Sequence, residues 1–167
     1  AVEIGHALGA RVTAVARGAD RLAVAAEAGA ESLIDTSGTD DILAALRAEG
    51  PFDVVYDAVG GEIGAAALRA VAPEARVLLI GFASGDVTPL RANHLLVKNT
   101  DVIGINLGAY LTFAPEALRQ SLAELIAWHA EGRIRPHVSH TFPLEQASDA
   151  LDLLRSRKAT GKIVVTQ

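Results

Sequence analysis

The sequence predicts an α/β fold with a doubly wound parallel sheet. Short apolar segments alternate along the chain with segments of helical periodicity, which is the pattern of parallel α/β folds. The apolar segments are continuous runs such as VVY and VLLI, as expected of strands that are covered on both faces. Half of the 167 residues are hydrophobic but only 4% are aromatic, so Ala, Val, Leu and Ile must build the core.

The runs and the helical segments between them can be assigned in order. Thr39 is the expected N-cap of one helix, which Gly50-Pro51 ends, and Pro73 is expected to end the next helix. The longest helix is predicted to begin at Pro115, with Gly132 after its end. The predicted strands are Val12–Val15, Ser32–Ile34, Asp53–Tyr56, Arg76–Ile80 and Val102–Ile105.

The organisation of the chain changes after residue 132. Residues 133–167 predict an extended segment, a helix from about Glu145 to Arg155 and a closing strand, Lys162–Thr166. The opening AVEIGHALGA predicts a helix without the strand and glycine-rich turn that precede it in a mononucleotide-binding unit. We therefore expect residues 1–132 to form one domain truncated at its N-terminus, and residues 133–167 to form a separate strand–helix–strand segment.

Composition and charge exclude several classes of function. A net charge of −5 argues against a nucleic-acid-binding surface, and the longest uncharged run, 102–115, is too short to span a bilayer. The chain contains no Cys, which excludes disulfides and cysteine-ligated metals. His137 and His140 are expected on opposite faces of an extended segment, which is poor geometry for sharing a metal. We expect a cytoplasmic protein that binds no nucleic acid, membrane or metal.

Two cations follow the first predicted strand, in the stretch RVTAVARGAD. In a dinucleotide-binding unit, the end of the second strand meets the adenosine ribose. An acidic residue there hydrogen-bonds the 2′-hydroxyl of NAD, whereas an Arg accommodates the 2′-phosphate of NADP. Here the strand is followed by Arg17 and, one helical turn later, Arg21, so the sequence favours NADPH. The alternative is that both arginines are solvated at the start of a helix.

Three further loops follow predicted strands, where parallel α/β folds bind ligands. No G-x-G-x-x-G motif accompanies them. DAVGG at 57–61 would let its Gly60 and Gly61 backbone approach a nucleotide, or it is a tight turn in which Asp57 caps the next helix. GFASG at 81–85 would offer backbone N–H groups to a carboxamide, or it is an ordinary turn. NLG at 106–108 is the third loop.

These stretches together resemble the cofactor-binding half of the medium-chain dehydrogenase/reductases, in their quinone oxidoreductase branch. The resemblance covers essentially the whole chain and implies a Rossmann-like domain in residues 1–132. Residues 133–167 would pack on a catalytic lobe that the sequence does not contain. The matching stretches are AVEIGHALGARVTAVAR, FDVVYDAVGG, VLLIGFASG, LLVKNTDVIGINLGAY, EGRIRPHVSHTFPLEQASDAL and KATGKIVV.

The resemblance also implies a set of cofactor-binding residues, although it assigns no catalytic residue and no metal ligand. Where this chain has Thr36, the family often has Tyr, and small residues followed by Lys often replace the two arginines. The implied residues are Arg17 and Arg21 at the 2′-phosphate, Thr36 near the adenine, Val59 and Gly61 at the nicotinamide ribose, Gly81, Phe82, Ala83 and Ser84 along the nicotinamide, and Asn106 and Leu107 in the last cofactor loop.

The resemblance implies that the parent protein is an NADPH-dependent oxidoreductase that transfers hydride to quinones or conjugated enones. We expect a homodimer, because the apolar edge strand VIGI at 102–105 would otherwise be exposed. Two alternatives come from other classes. FDVVYDAVG also resembles a methyltransferase loop, although Ala16-Arg17 replaces the acidic residue that such an enzyme needs. The chain could also be a reductase-like interaction module without catalysis.

Overall fold

The computed structural model describes all 167 residues and confirms an α/β fold with parallel strands. Seven strands alternate with eight α-helices along the chain. The strands are β1 (Thr13–Ala16), β2 (Ser32–Asp35), β3 (Phe52–Asp57), β4 (Val71–Leu79), β5 (Asp101–Gly104), β6 (Val138–Pro143) and β7 (Lys162–Thr166). The helices are α1 (Val2–Ala7), α2 (Ala19–Glu27), α3 (Ile42–Glu49), α4 (Gly61–Arg69), α5 (Ala92–Leu96), α6 (Tyr110–Phe113), α7 (Pro115–Ala130) and α8 (Ala147–Arg155).

The chain divides into two compact units. The first unit contains Ala1–Asp35 and Leu125–Gln167, and the second contains Thr36–Glu124. In the first unit β1 pairs with β2 and β6 pairs with β7, both in parallel. In the second unit β4 lies between β3 and β5, and both pairings are parallel. The domain boundary predicted at residue 132 stays a prediction.

The core of the second unit forms around its central strand. Val71 and Val77 of β4 are each only 1% exposed, because strands pair with both edges of β4 and side chains cover both faces. Leu68 from α4 and Ala75 complete the buried cluster. Partly buried apolar side chains surround it, namely Val55, Leu79, Leu95 and Val102. Small aliphatic residues therefore supply this core, as the composition predicts.

Pro73 does not end a helix, contrary to the sequence prediction. Helix α4 ends at Arg69, and the strand predicted at 76–80 begins already at Val71, so Pro73 lies inside β4. The register between β3 and β4 shifts here, and Glu74 has a φ of 62°. Proline lacks an N–H group, and it is tolerated in a strand at such an irregularity because no ladder bond is required there.

The predicted cap of the third helix was also wrong. Thr39 precedes α3 without capping it, and Asp41 is the N-cap, because its Oδ1 accepts a hydrogen bond from the Ala44 N–H at 2.9 Å. Thr and Asp both cap helices, but Asp41 lies at the spacing from which its side chain reaches the N–H three residues later. The start of α7 at Pro115 is confirmed, as is the strand Lys162–Thr166. No helix of the protein is both long and apolar enough to cross a membrane.

The buried cluster predicts a measurable difference between two leucine substitutions in the second unit. Leu68 is 3% exposed and Leu111 is 68% exposed. Leu68→Ala should lower the free energy of unfolding by about 2–5 kcal/mol, because it removes transfer free energy and leaves a cavity. The matched control Leu111→Ala should change it by less than about 0.5 kcal/mol. Urea unfolding curves measure both values, and equal losses would contradict this assignment of the core.

Candidate functional site

The turn after β1 carries the two arginines predicted from the sequence. Arg17 directly follows the strand and is exposed, and Gly18, with a φ of 92°, is the N-cap of α2. Arg21 lies in the first turn of α2, where its guanidinium donates hydrogen bonds to the carbonyl of Arg17 at 3.0 Å and to the carbonyl of Arg157. Arg21 is therefore held by the backbone on two sides, which the sequence did not indicate.

Asp35 is an acidic neighbour of this turn that sequence reasoning missed. Its Oδ1 accepts a hydrogen bond from the Gly18 N–H at 3.0 Å. The sequence prediction rests on the residues that follow β1, whereas Asp35 ends the neighbouring strand. The parallel register pairs Ala16 with Asp35, so both strands end at the same level. The signal available in the sequence was the acidic residue directly after the predicted strand Ser32–Ile34. Thr36, the next residue, is partly buried and belongs to the second unit.

The loop after β3 is organised by a buried carboxylate. Asp57 is 5% exposed, and its Oδ1 accepts hydrogen bonds from the N–H groups of Val59 at 3.0 Å and Gly60 at 2.8 Å. Its Oδ2 accepts the hydroxyl of Thr88, 31 residues later, at 2.8 Å. Asp57 therefore fixes the turn before α4 and does not cap the helix itself, because the N-cap is Gly60.

The two glycines of this loop are buried against the loop that follows β4. Gly60 has a φ of 74°, and a Cβ on it would lie 2.5 Å from the carbonyl oxygen of Asp86. Gly61 has a φ of 59°, and a Cβ on it would lie 3.2 Å from the Oγ of Ser84. Glycine is required here by backbone conformation and by close loop packing. The cofactor contact predicted for Gly61 stays a prediction.

The loop after β4 joins the loop after β3 through backbone hydrogen bonds. The N–H of Ala83 donates to the carbonyl of Ala58 at 3.1 Å, and the N–H of Ser84 donates to the carbonyl of Val59 at 3.0 Å. The hydroxyl of Ser84 donates to the same Val59 carbonyl at 2.7 Å. We call residues 58–61 and 80–88 the paired loops. They bring together six of the predicted site residues, Val59, Gly61, Gly81, Phe82, Ala83 and Ser84.

Exposure differs along the paired loops. Phe82 is 42% exposed, and Ala83 and Ser84 are also exposed, whereas Val59 and Gly81 are partly covered. The exposed segment is thus supported from below by buried, hydrogen-bonded backbone. Such a surface can contact a planar group through Phe82 and its neighbours.

The loop after β5 places the last two predicted residues. Ile105 continues the ladder by donating its N–H to the carbonyl of Leu79 at 3.0 Å. The side-chain oxygen of Asn106 accepts a hydrogen bond from the N–H of Ala109 at 3.3 Å and so caps the 3₁₀ turn Leu107–Ala109. Leu107 is 61% exposed. The amide oxygen of Asn106 therefore has a local structural partner, and its cofactor contact stays a prediction.

One cavity of the second unit and the shifted pKa of Glu116 lie outside these loops. A cavity of about 330 Å³ in the second unit is lined by Ala65, Leu68, Arg69, Pro89, Arg91 and His94, none of which was predicted as a site residue. On α7, hydrogen bonding from Arg119 lowers the pKa of the exposed Glu116 carboxyl. The predicted site residues lie in the segments that follow strand ends.

Comparison with known proteins places the chain in a family. Residues 28–165 match the family model described as zinc-binding dehydrogenase, so the chain belongs to that family. It is 35% identical over 161 residues to quinone oxidoreductase-like protein 2 of Bos taurus, covering 95% of this chain and 46% of that protein. The Nematostella vectensis homolog of that protein is 31% identical, with 96% and 44% covered. The chain thus spans about half the length of these curated relatives.

Solved structures confirm the Rossmann-like fold of the medium-chain dehydrogenase/reductases. Escherichia coli quinone oxidoreductase complexed with NADPH matches with a TM-score of 0.82 and 27% identity, covering 99% of this chain and 52% of that one. The mycobacterial protein Rv1454c complexed with NADPH matches with a TM-score of 0.84 and 26% identity, with the same coverage. The resemblance stated from the sequence is therefore confirmed at the level of family and fold.

The family description raises the question of zinc. The chain has no Cys, and the structure brings no three His, Cys, Asp or Glu side chains together in a group that could hold a metal ion. Zinc in proteins is bound by such side chains, usually four-coordinate. The residues of this chain do not fit a zinc site.

The packing of the paired loops predicts unequal effects of two glycine substitutions. Gly60→Ala and Gly85→Ala both place a Cβ at positive φ, 74° and 96°, which costs about 1–2 kcal/mol. A Cβ at Gly85 meets nothing within 4 Å, whereas at Gly60 it collides with the Asp86 backbone. Gly60→Ala should therefore lower the free energy of unfolding by about 1–3 kcal/mol more than Gly85→Ala. Denaturant unfolding of both variants measures the difference, and equal stability would contradict the close loop packing.

Proposed function

We propose that this chain is the cofactor-binding part of an NADPH-dependent oxidoreductase that transfers hydride to quinones or conjugated enones. The observation that carries the proposal is the turn after β1, where Arg17 and Arg21 stand at a strand end. In dinucleotide-binding folds this is where a cation accommodates the 2′-phosphate of NADP. Two structural neighbours with the same fold, the E. coli and mycobacterial proteins, are themselves complexed with NADPH.

The arginine turn suits a phosphate chemically. A guanidinium can meet phosphate oxygens with bidentate, charge-assisted hydrogen bonds. Arg21 is already held by two carbonyl groups, so part of the entropy cost of ordering its side chain is met before a ligand binds. The negative charge of Asp35 would repel a phosphate. The same carboxylate also accepts the Gly18 N–H and thereby fixes the turn.

The paired loops of the second unit suit the nicotinamide ring of such a cofactor. NADPH, when bound, supplies the hydride. The residues of this chain would bind and orient it, with exposed Phe82, Ala83 and Ser84 offering a fixed surface. We propose that the group that protonates the product comes from the part of the parent protein outside this chain.

Substitution of the arginines tests the cofactor preference. Arg17→Ala combined with Arg21→Ala in the parent protein should weaken NADPH binding by about 5- to 150-fold for each contact that is lost, since one contact contributes about 1–3 kcal/mol. NADH affinity should change little, because NADH has no 2′-phosphate. Added salt should reduce the difference between wild type and variant. Calorimetric titration with both cofactors measures these values.

A control variant is available at the other end of the same strand. Arg11 precedes β1 and is exposed, so Arg11→Ala should leave the affinity for both cofactors unchanged. If the double variant keeps its NADPH preference or loses both cofactors equally, the arginines are solvated helix residues and the proposed 2′-phosphate site is wrong. If the wild-type parent binds NADPH but reduces no quinone or enone, the alternative of a non-catalytic module gains support.

We further propose that the parent protein is a homodimer paired through β5. This strand is the edge of the sheet β3–β4–β5, and Ile103 on it is 39% exposed. The residues after it add apolar surface, because Leu107 and Phe113 are 61% and 66% exposed. An apolar edge strand invites pairing with a second copy.

A lysine on this edge tests the dimer. Ile103→Lys places a charge in the proposed interface and should convert dimers to monomers in light scattering at micromolar concentration. Leu96→Lys is the matched control, because Leu96 is 77% exposed and belongs to α5, not to the edge strand. A wild-type protein that is monomeric, or an equal effect of both variants, would contradict pairing through β5.

A further inference from the structure

We propose that the buried hydrogen bond between Thr88 and Asp57 is a positioning device for the nicotinamide, which no sequence motif assigned. The inference rests on the proposed function, because it concerns how the paired loops hold that ring. Neither residue is exposed enough to touch a cofactor, since Asp57 is 5% and Thr88 is 3% exposed. Both act through the loops that they connect.

The geometry shows how one carboxylate sets both loops. Oδ1 of Asp57 accepts the N–H groups of Val59 and Gly60, which fixes the first loop at its start. Oδ2 accepts the Thr88 hydroxyl at 2.8 Å, which fixes the second loop at its end. The exposed residues 82–84 lie between that end and β4. A shift of Thr88 would therefore change the position of the surface predicted to lie along the nicotinamide.

The packing of α4 supports a dedicated role for this pair. Gly64 faces it, and a Cβ at Gly64 would lie 2.3 Å from both Asp57 Oδ2 and Thr88 Oγ1. The helix thus leaves room for the hydrogen bond only because residue 64 is glycine. A buried carboxylate requires such partners, because an unpaired charge in the interior is costly.

The test uses Thr88→Val in the parent protein, which removes the hydroxyl and keeps the side-chain shape. We expect turnover with a quinone to fall about tenfold, since small misplacements of reacting groups have large effects on rate. Two readouts are independent of turnover. The fluorescence change of the reduced nicotinamide on binding should diminish, and hydrogen exchange at the Val59 and Gly60 amides should accelerate without cofactor. The affinity for 2′,5′-ADP, which has no nicotinamide, should stay within about twofold of wild type, because the arginine turn is untouched.

Control variants separate positioning from general stability. Thr88→Ser restores the hydroxyl and should recover turnover, fluorescence and amide protection to within about twofold of wild type. If Thr88→Val does not fold, Asp57→Asn carries the same test. Its Oδ1 still accepts both N–H groups while the charge toward Thr88 is lost, so a smaller change of the same kind is expected.

The outcomes distinguish failure of this inference from failure of the proposed function. If the wild-type parent binds neither NADPH nor 2′,5′-ADP, the proposed function is wrong and this inference falls with it. If the wild type binds and turns over NADPH but Thr88→Val behaves identically, only the positioning role is overturned. Equal weakening of NADPH and 2′,5′-ADP by Thr88→Val would also overturn it, because the hydrogen bond would then only stabilise the domain.

Discussion

The buried carboxylate of Asp57 is the constraint on which the candidate site of the second unit depends. A charged group in a protein interior must be matched by donors, and Asp57 obtains three, from two residues of its own loop and from Thr88. These donors define where the loop after β3 turns and where the loop after β4 returns. Glycine is then required at residue 64, where a Cβ would collide with Asp57 and Thr88, and at residue 60, where it would collide with the Asp86 carbonyl; at residue 61 the positive φ favours glycine.

Within each unit, the parallel pairing of strands brings the loops that follow them to one edge of the sheet. In the second unit, Asp57 pairs with Leu79, which in turn pairs with Gly104, so three strands end at the same level. In the first unit, Ala16 and Asp35 end their strands side by side in the same way. Strand register therefore decides which residues meet, and the hydrogen bonds of Asp57 and Asp35 fix the loops within that frame.

Local signals in the sequence were sufficient for most elements of the fold. Apolar runs predicted the strands to within a few residues at most ends, and Pro115 predicted the start of α7. The sequence failed where the deciding partner is distant along the chain. Pro73 was predicted to end a helix. It lies in β4 instead, at a register shift against β3 that the local sequence does not reveal. Asp35 and Thr88 were missed because their partners are 17 and 31 residues away.

The missed carboxylate changes how selectivity at the arginine turn must be explained. Asp35 and Asp20 lie at the same turn as Arg17 and Arg21, with Asp20 in the first turn of α2. The net positive charge of the turn is therefore small. An exposed ion pair at a protein surface typically contributes only about 0.2–1 kcal/mol, and salt screens it. Discrimination for a 2′-phosphate would then depend on donor geometry. The Arg17 and Arg157 carbonyls hold the Arg21 guanidinium in one orientation, and in the proposed site the N–H groups that they leave free would meet the phosphate. Selectivity built this way requires that the backbone around both carbonyls keeps its position, and the Gly18–Asp35 hydrogen bond provides that support on the Arg17 side.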